Sequence, residues 1–385
     1  MHKKLPSLLA LATLAMGLTG TPLQAQTAAP GTDPVLFKFS TVGDSRQDPK
    51  EIDPTMLPLS TQDKIWLQNT KAWSRIMREV EAQKSKLLFF NGDMIMGYGL
   101  AGPTPGTSVA EVVGSDLMAF YRQYGFWRGM VAPLMESGTY VVPVPGNHEV
   151  QSKPMGKKAQ PENENAWRAN MGDLIIDADR FQKIVGTAAS HVNVQNNGAL
   201  DGLSSDQSQL SYSFDVKDSH FAIINTDPVG KDNTAPVAWL SKDLDDAKAR
   251  GAKHFFVFGH KPAFSYNFGT EAKPNPGIVG LDKFTEARDA FWNVIERFNA
   301  TYFCGHEHEF DMAQPRGAAW QVLVGSGGSP WDALPGDVTK HPETDRLYAW
   351  ATVSILQSGK VEIDAYGFDD KYGKTQQVKH VVLSH

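Results

Sequence analysis

Five times along this 385-residue chain a strand-like run breaks at a glycine, and the residue after that glycine carries a metal-binding atom. The blocks are Gly43-Asp44 after Val35 to Val42, Gly92-Asp93 after Leu87 to Phe90, and Gly146-Asn147-His148-Glu149 after Tyr140 to Val144. Gly259-His260 follows Phe255 to Phe258, and Gly305-His306-Glu307-His308 follows Thr301 to Cys304. In extended backbone residues i and i+2 share a side, so His306 and His308 reach into one site together. Strand, helix, strand, helix, strand is the order over the first three blocks, and it predicts a largely parallel sheet whose ligand site lies at the carboxyl ends of its strands.

The five tips deliver two carboxylates (Asp44, Asp93), one amide oxygen (Asn147) and four imidazoles (His148, His260, His306, His308). Mixed oxygen and nitrogen donors suit Zn, Fe or Mn; calcium asks for nearly all oxygen and a soft-metal site for thiolate. Seven groups exceed the needs of one ion. They suit two ions sharing a carboxylate, a geometry that activates a hydroxide and clamps phosphate oxygens. Gly325-Ser326-Gly327-Gly328 lacks the lysine and spacing of a phosphate loop and reads as a backbone turn near the site.

The rest of the chain bounds what this site serves. Residues 1–25, with His2-Lys3-Lys4 and then the apolar Leu8 to Met16, read as a secretory signal peptide, too short in its apolar part to span a bilayer. Residues 26–34 read as a flexible leader, and 35–385 as a single domain with an insertion at 151–208 that could roof the site. Export places the protein in the periplasm or outside the cell, and no membrane anchor is indicated. Loss of residues 1–25 removes two lysines, leaving 35 basic against 43 acidic residues and a net charge of −8, which argues against binding nucleic acid. The single cysteine, Cys304, excludes an intramolecular disulfide and leaves oligomeric state unaddressed.

Helices are expected from Ser60 or Thr61 to about Gln83, from about Leu117 to Glu136, over Val237 to Ala249 and over Phe284 to Phe298. Residues 151–208 look polar and irregular, with one helix-like piece near Asp177 to Val185 and a turn at Asn196-Asn197-Gly198. Leu210 to Val216 and His220 to Asn225 form a hairpin. The tail is β-rich, with Ala319 to Val324, Tyr348 to Leu356 and Val361 to Tyr366. A second sheet packed on the first, four layers in all, is the economical architecture.

In this order and spread across most of the chain, the five blocks resemble the calcineurin-like metallophosphoesterase superfamily, nearest its purple acid phosphatase-like bacterial branch. The resemblance implies an α/β, four-layer αββα sandwich with two mixed β-sheets and a dinuclear centre of two divalent or trivalent transition-metal ions, Zn, Fe or Mn. Carried over by motif, Asp93 would bridge the ions, Asn147, His260 and His306 would complete the second, and Asp44 and His308 would hold the first. His148 would stand beside the phosphate and assist the leaving group. The family's first block commonly reads Asp-x-His, and here that slot is Arg46. Purple acid phosphatases lack that His too but supply a Tyr three residues after the bridging Asp, where this chain has Met96, with Tyr98 two residues later.

The expectation is an exported, metal-dependent phosphoesterase acting on a small-molecule phosphate ester through a metal-activated hydroxide. The alternative is a catalytically weak metal- or phosphate-binding protein of the same fold whose first metal site Arg46 has impaired. A guanidinium is always charged and offers no lone pair, so Arg46 cannot replace a His ligand. It is expected to reach a substrate phosphate, to fold back onto a carboxylate such as Glu149 or Asp48, or to lie in solvent.

Overall fold

The computed structural model describes residues 33–48, 66–103, 106–196, 199–266, 278–333, 341 and 343–383. The signal-peptide reading of 1–25, most of the 26–34 leader, the helix start at Ser60 or Thr61 and the Asn197-Gly198 part of the turn lie outside the described residues. Met1–Pro34 and Val35–His385 are separate units, and the description below concerns the second.

Strands that are buried on both faces organise it. Leu87–Phe90 reads Leu-Leu-Phe-Phe with no exposed position, so Leu87 and Phe89 point into one core while Leu88 and Phe90 point into another. The six-stranded sheet runs Gln376–Leu383, Val361–Phe368, Tyr348–Leu356, Val35–Val42, Leu87–Phe90, Tyr140–Pro143. The seven-stranded sheet runs Phe310–Ala313, Gln321–Val324, Thr301–Cys304, His254–Phe258, Ser219–Ile223, Tyr212–Val216, Ser190–Val194. Each holds parallel neighbours and antiparallel ones, so both are mixed.

Between the sheets lies an aromatic core: the Phe89 ring stacks on Phe258 at 3.7 Å, Phe258 on Phe303 at 4.9 Å, and Phe39 meets Phe256 at 5.0 Å. Each such side chain contributes roughly 1.5–3 kcal/mol on burial, enough to lock the two sheets face to face. On the outer face of the six-stranded sheet, Trp73 and Ile76 of helix Trp66–Ala82 and Trp127 of helix Asp116–Glu136 cover Leu88 and Phe90. On the outer face of the other, helices Val237–Ala249 and Thr285–Arg297 cover Ala222, Val257 and Tyr302 through Leu240, Leu244, Phe291 and Trp292. The result is four layers, αββα.

The tail corrects one expectation. Tyr348–Leu356 and Val361–Phe368 do not build a second sheet; Tyr348–Leu356 pairs antiparallel with Val35–Val42, and the tail extends the first sheet with Gln376–Leu383 as its edge. Gln321–Val324 joins the other sheet instead. The 151–208 segment is more regular than its polarity suggested: Pro161–Met171 is helical, packing Trp167 under helix Asp116–Glu136, and Ser190–Val194 is a sheet edge. Among the described residues no helix is long and apolar enough to cross a membrane.

This topology brings the parallel-strand tips of both sheets to one edge. Gly43 N donates to Val324 O at 2.8 Å and Gly327 N to Gly43 O at 2.9 Å, tying tips of the two sheets together, while Asp44 N donates to Gly92 O at 2.9 Å between neighbouring tips of the six-stranded sheet.

Candidate metal centre

All seven candidate donors meet at that edge, three of them in strained backbone. Asp44 (φ 64°), Arg46 (φ 38°), Asp93 (φ 54°) and His306 (φ 75°) lie in the left-handed region, which Asp and His tolerate better than most residues. Strain of this kind persists only where the surroundings enforce it. Gly92, at φ 84°, shows the crowding: a Cβ there would stand 2.6 Å from His260 Nδ1 and 2.7 Å from Gly146 Cα.

The imidazoles are oriented from behind. His148 Nδ1 lies 2.6 Å from Met96 O, His260 Nδ1 2.7 Å from Asn91 O and His308 Nδ1 2.6 Å from Pro330 O. A carbonyl only accepts, so each Nδ1 carries a proton, and whenever such a ring is neutral its Nε2 lone pair faces inward. Around His260 Nε2 stand Asn147 Oδ1 at 2.8 Å, His306 Nδ1 at 3.1 Å and Asp93 Oδ1 at 3.2 Å. Asp93, His260 and His306 each present a donor atom within 4.8 Å of the others. On the other side, His308 Nε2 faces Asp44 Oδ1 at 3.7 Å, and that oxygen is buried without a hydrogen-bond partner among the described residues. Asp44 Oδ2 accepts from His306 N at 3.0 Å.

Lone pairs converging in a buried space repel one another unless a positive charge sits among them. The titration of the cluster shows the same preference. Burial would lower His260, but the Asp93 and Asp44 carboxylates push it up to about 9. Burial would raise Asp93, yet the imidazoles of His148, His260 and His306 hold it well below the usual carboxylate range. Asp44, with less compensation, is raised by burial. His306 and His308 are lowered, burial being the main cause. The donor set therefore fits transition-metal ions, with Asp93 beside His260 and within electrostatic reach of Asp44 and His308.

His148 stands apart from that convergence. Its Nε2 is 3.6 Å from Asp93 Oδ2, its backbone N donates to Asp93 Oδ1 at 3.0 Å, and burial drives it down to about 3.

The sequence profile described as calcineurin-like phosphoesterase matches residues 66–310. The chain belongs to that family. The match spans Asp93, Asn147, His148, His260, His306 and His308 and begins after Asp44 and Arg46, where the first block departs from the family pattern. The family is one of metal-dependent phosphoesterases built around a dinuclear centre. No curated protein sequence matches the chain. A purple acid phosphatase from yellow lupin (Lupinus luteus) seeds superposes at TM-score 0.53 and 12% identity, covering 92% of this chain and 55% of its own. A dimetal phosphatase from Danio rerio gives 0.51 and 10%, covering 91% and 99%, and PhoD gives 0.54 and 14%, covering 92% and 70%. At such identities the likeness shows the fold. The chain spans little more than half of the lupin protein.

In this calcineurin-like phosphoesterase Arg46 is half-buried rather than solvated. Its Nε donates to Ser329 Oγ at 2.9 Å and its Nη2 lies 3.5 Å from His308 Nδ1. Glu149 is not its partner, because four backbone N–H groups occupy that carboxylate: Asp93 and Gly146 on Oε2, Met94 and Ile95 on Oε1. Ser329 belongs to the glycine-rich turn, whose Pro330 O also orients His308. Sequence reasoning placed that turn near the site but assigned neither contact. It also left Tyr98 unoriented; the hydroxyl meets Asn147 Nδ2, and burial, with the Asp93 and Asp227 carboxylates, raises its pKa.

Proposed function

We propose that this chain is an exported phosphoesterase that hydrolyses small-molecule phosphate esters at a two-ion centre. Asp93 would serve both ions, Asn147, His260 and His306 would help hold one, and Asp44 and His308 the other. The observation that carries this reading is the convergence of inward lone pairs, two of them set by the Nδ1–H bonds of His260 and His308 to backbone carbonyls, on a buried Asp44 oxygen and the Asp93 carboxylate. Zn, Fe and Mn suit this donor set. When bound, the ions supply Lewis acidity: they neutralise phosphoryl oxygens and make water nucleophilic near neutral pH.

The chain's own residues do the rest. The Asn91, Met96 and Pro330 carbonyls hold the rings in register, so the donor set costs little reorganisation when it is used. His148 serves the departing alkoxide. A phosphate beside its Nε2 favours the imidazolium, and the Nε2–H then stands where a leaving oxygen can take the proton. Arg46, anchored through Nε, brings a permanent positive charge beside His308 for a phosphoryl oxygen. Supporting export is the residue pattern of 1–25, a basic start followed by a short apolar run.

The deciding experiment is elemental analysis of the purified protein together with turnover of p-nitrophenyl phosphate and of its bis-ester. Two ions per chain with turnover of either ester supports the reading. One ion or none, with phosphate binding but no turnover, supports the weak-binding alternative that Arg46 raises.

A further inference from the structure

Tyr98 closes the side of the centre that Asn147 occupies, and its backbone is fixed there at some cost. It stands at φ 65°, where an aromatic residue is rare, and Gly97 before it stands at φ 44°. Gly97 presses so closely on His148 O that any side chain there would collide with it. Three hydrogen bonds hold the pair in place: Gly97 N to Gln123 Oε1 at 2.9 Å, Tyr98 N to His148 O at 3.1 Å, and Lys153 N to Tyr98 O at 2.9 Å. Two of them join Tyr98 to the segment that carries Asn147 and His148. Non-glycine strain enforced in this way tends to mark residues whose side chains must point in one direction.

The side chain points at the chemistry. Its ring lies against the His148 ring with centroids 3.9 Å apart, and the Lys153 ammonium stands 4.7 Å from the centre of the Tyr98 ring. Its hydroxyl accepts from Asn147 Nδ2. The amide cannot be turned round without loss, since Asn147 Oδ1 belongs with Asp93 and His260 on the cation side, 2.8 Å from His260 Nε2. A phenol has one proton, and the amide N–H is on its acceptor side, so the O–H is directed away from Asn147. Asp93, Asn147 and His260 are at most 1% exposed, whereas Tyr98 is only half-buried. The phenol is thus the neutral donor at the boundary between the buried donor set and solvent.

We propose that the Tyr98 hydroxyl is a substrate-contacting group that donates a hydrogen bond to a non-bridging phosphoryl oxygen, while its acceptor side keeps the Asn147 amide oxygen turned toward the centre. This rests on the phosphoesterase reading above. Neither half follows from the five blocks, because Tyr98 lies five residues past Asp93 and the backbone bend that aims it has no signature in the sequence.

Tyr98→Phe keeps the ring on His148 and deletes only the hydroxyl. Metal-loaded wild-type and variant chains are titrated calorimetrically with inorganic phosphate, and metal content and kcat/KM for p-nitrophenyl phosphate are measured on the same samples. The expected result is phosphate affinity and kcat/KM both lower by roughly tenfold or more, the scale for a hydrogen bond to a charged group, with metal content unchanged. Equal phosphate affinity in the two proteins overturns the contact. Loss of metal from the variant that accounts for all of the lost phosphate affinity overturns the contact too, since Tyr98 would then act only through Asn147. If the wild-type protein holds metal yet neither binds phosphate nor turns over ester, the phosphoesterase reading fails and takes the contact with it.

Discussion

Glu149 lies directly behind Asp93, with Oε2 2.9 Å from the Asp93 backbone nitrogen and Oε1 2.8 Å from that of Met94. Gly146 N at 2.8 Å and Ile95 N at 3.2 Å complete its four donors. One carboxylate thus binds the Asp93 tip to the Asn147 tip and fixes the left-handed turn at Asp93. Burial, with the neighbouring Asp93 charge, pushes Glu149 up to about 7 against the pull of those N–H groups.

Glu149→Gln should therefore destabilise the fold while damaging the site. An amide presents one oxygen and an NH2 group that faces two backbone N–H donors, leaving those donors without an acceptor. At about 1–3 kcal/mol for each buried unsatisfied group, the loss should be roughly 2–4 kcal/mol. Urea denaturation of the two proteins reads it directly. A loss below about 1 kcal/mol would mean that water or a backbone shift replaces the carboxylate.

Asp93→Ala and His148→Ala should separate ligand from catalyst. Asp93 lies 3.2 Å from His260 and acts electrostatically on His306 on that side and on His308 and Asp44 on the other, so its removal should release metal and abolish turnover. His148 has its Nδ1 committed to Met96 and stands outside the convergent set, so His148→Ala should keep metal and lose about 10²–10⁴-fold in rate. Elemental analysis of each variant decides: full metal in Asp93→Ala removes it from the shared position, and metal loss in His148→Ala makes it a ligand.

A second titrating cluster lies away from the centre. His220 Nδ1 is 2.6 Å from Asp215 and its Nε2 2.9 Å from Asp243; Arg250 donates to Asp215 at 3.0 Å, and Ser213 and Asn193 donate to Asp243 at 2.8 Å. Burial alone would lower His220, but the two carboxylates raise it, while Asp215, despite burial, is lowered by His220 and Arg250. A His raised on folding contributes stability that is fully present below its unfolded value, near 6.5, and is lost as pH rises through the folded value. Asp215 works in the opposite sense, its contribution being lost as pH falls through its depressed value. Wild-type protein should thus lose stability between pH 6 and pH 9, and His220→Gln should flatten that slope. Urea midpoints at the two pH values test this, and an unchanged slope in the variant would assign the pH dependence elsewhere.

What the sequence made legible was local. A strand, a glycine and a donor lie within six residues of one another, so Asp44, Asp93, Asn147, His260, His306 and His308 could be found as tips without knowing how the strands pair. Sheet membership was not local: Val35–Val42 pairs with Tyr348–Leu356 some three hundred residues later, and no periodicity in either strand names its partner. The helix Pro161–Met171 escaped because its Asn and Glu content suggests irregular chain, although Pro161 at the start and Glu162 and Glu164 in the first turn are helix-start signals. Arg46 and Tyr98 were visible as residues but not as directions, because a positive φ at each decides where the side chain goes.

Arg46 is where family pattern and residue chemistry part, and its geometry allows a sharp test. The guanidinium takes the place of a family ligand yet does not enter the Asp44–His308 space. Its hydrogen bond runs to Ser329 Oγ, and its Nη2 lies at the Nδ1 side of His308, the side turned away from Asp44. His308 Nδ1 already gives its proton to Pro330 O, so the 3.5 Å approach of Arg46 is a contact between two donors and is repulsive. The Arg46 charge, second only to burial, accordingly holds His308 low. The same charge draws Asp44 down, so the guanidinium stands beside the centre where an arriving phosphoryl anion would meet it. Arg46→Ala should then lower kcat/KM by roughly tenfold or more, the scale of a charge-assisted contact, while the ion on the Asn147–His260 side stays bound. The ion on the Asp44–His308 side should bind no worse, and better where relief of charge dominates. Arg46→His should tighten that ion further by restoring an imidazole to the family's position. Metal titration of each chelator-treated variant, with kinetics on the reloaded protein, reads both effects. Wild-type kcat/KM in Arg46→Ala would leave Arg46 as a brace for the Ser329 turn and remove it from substrate binding.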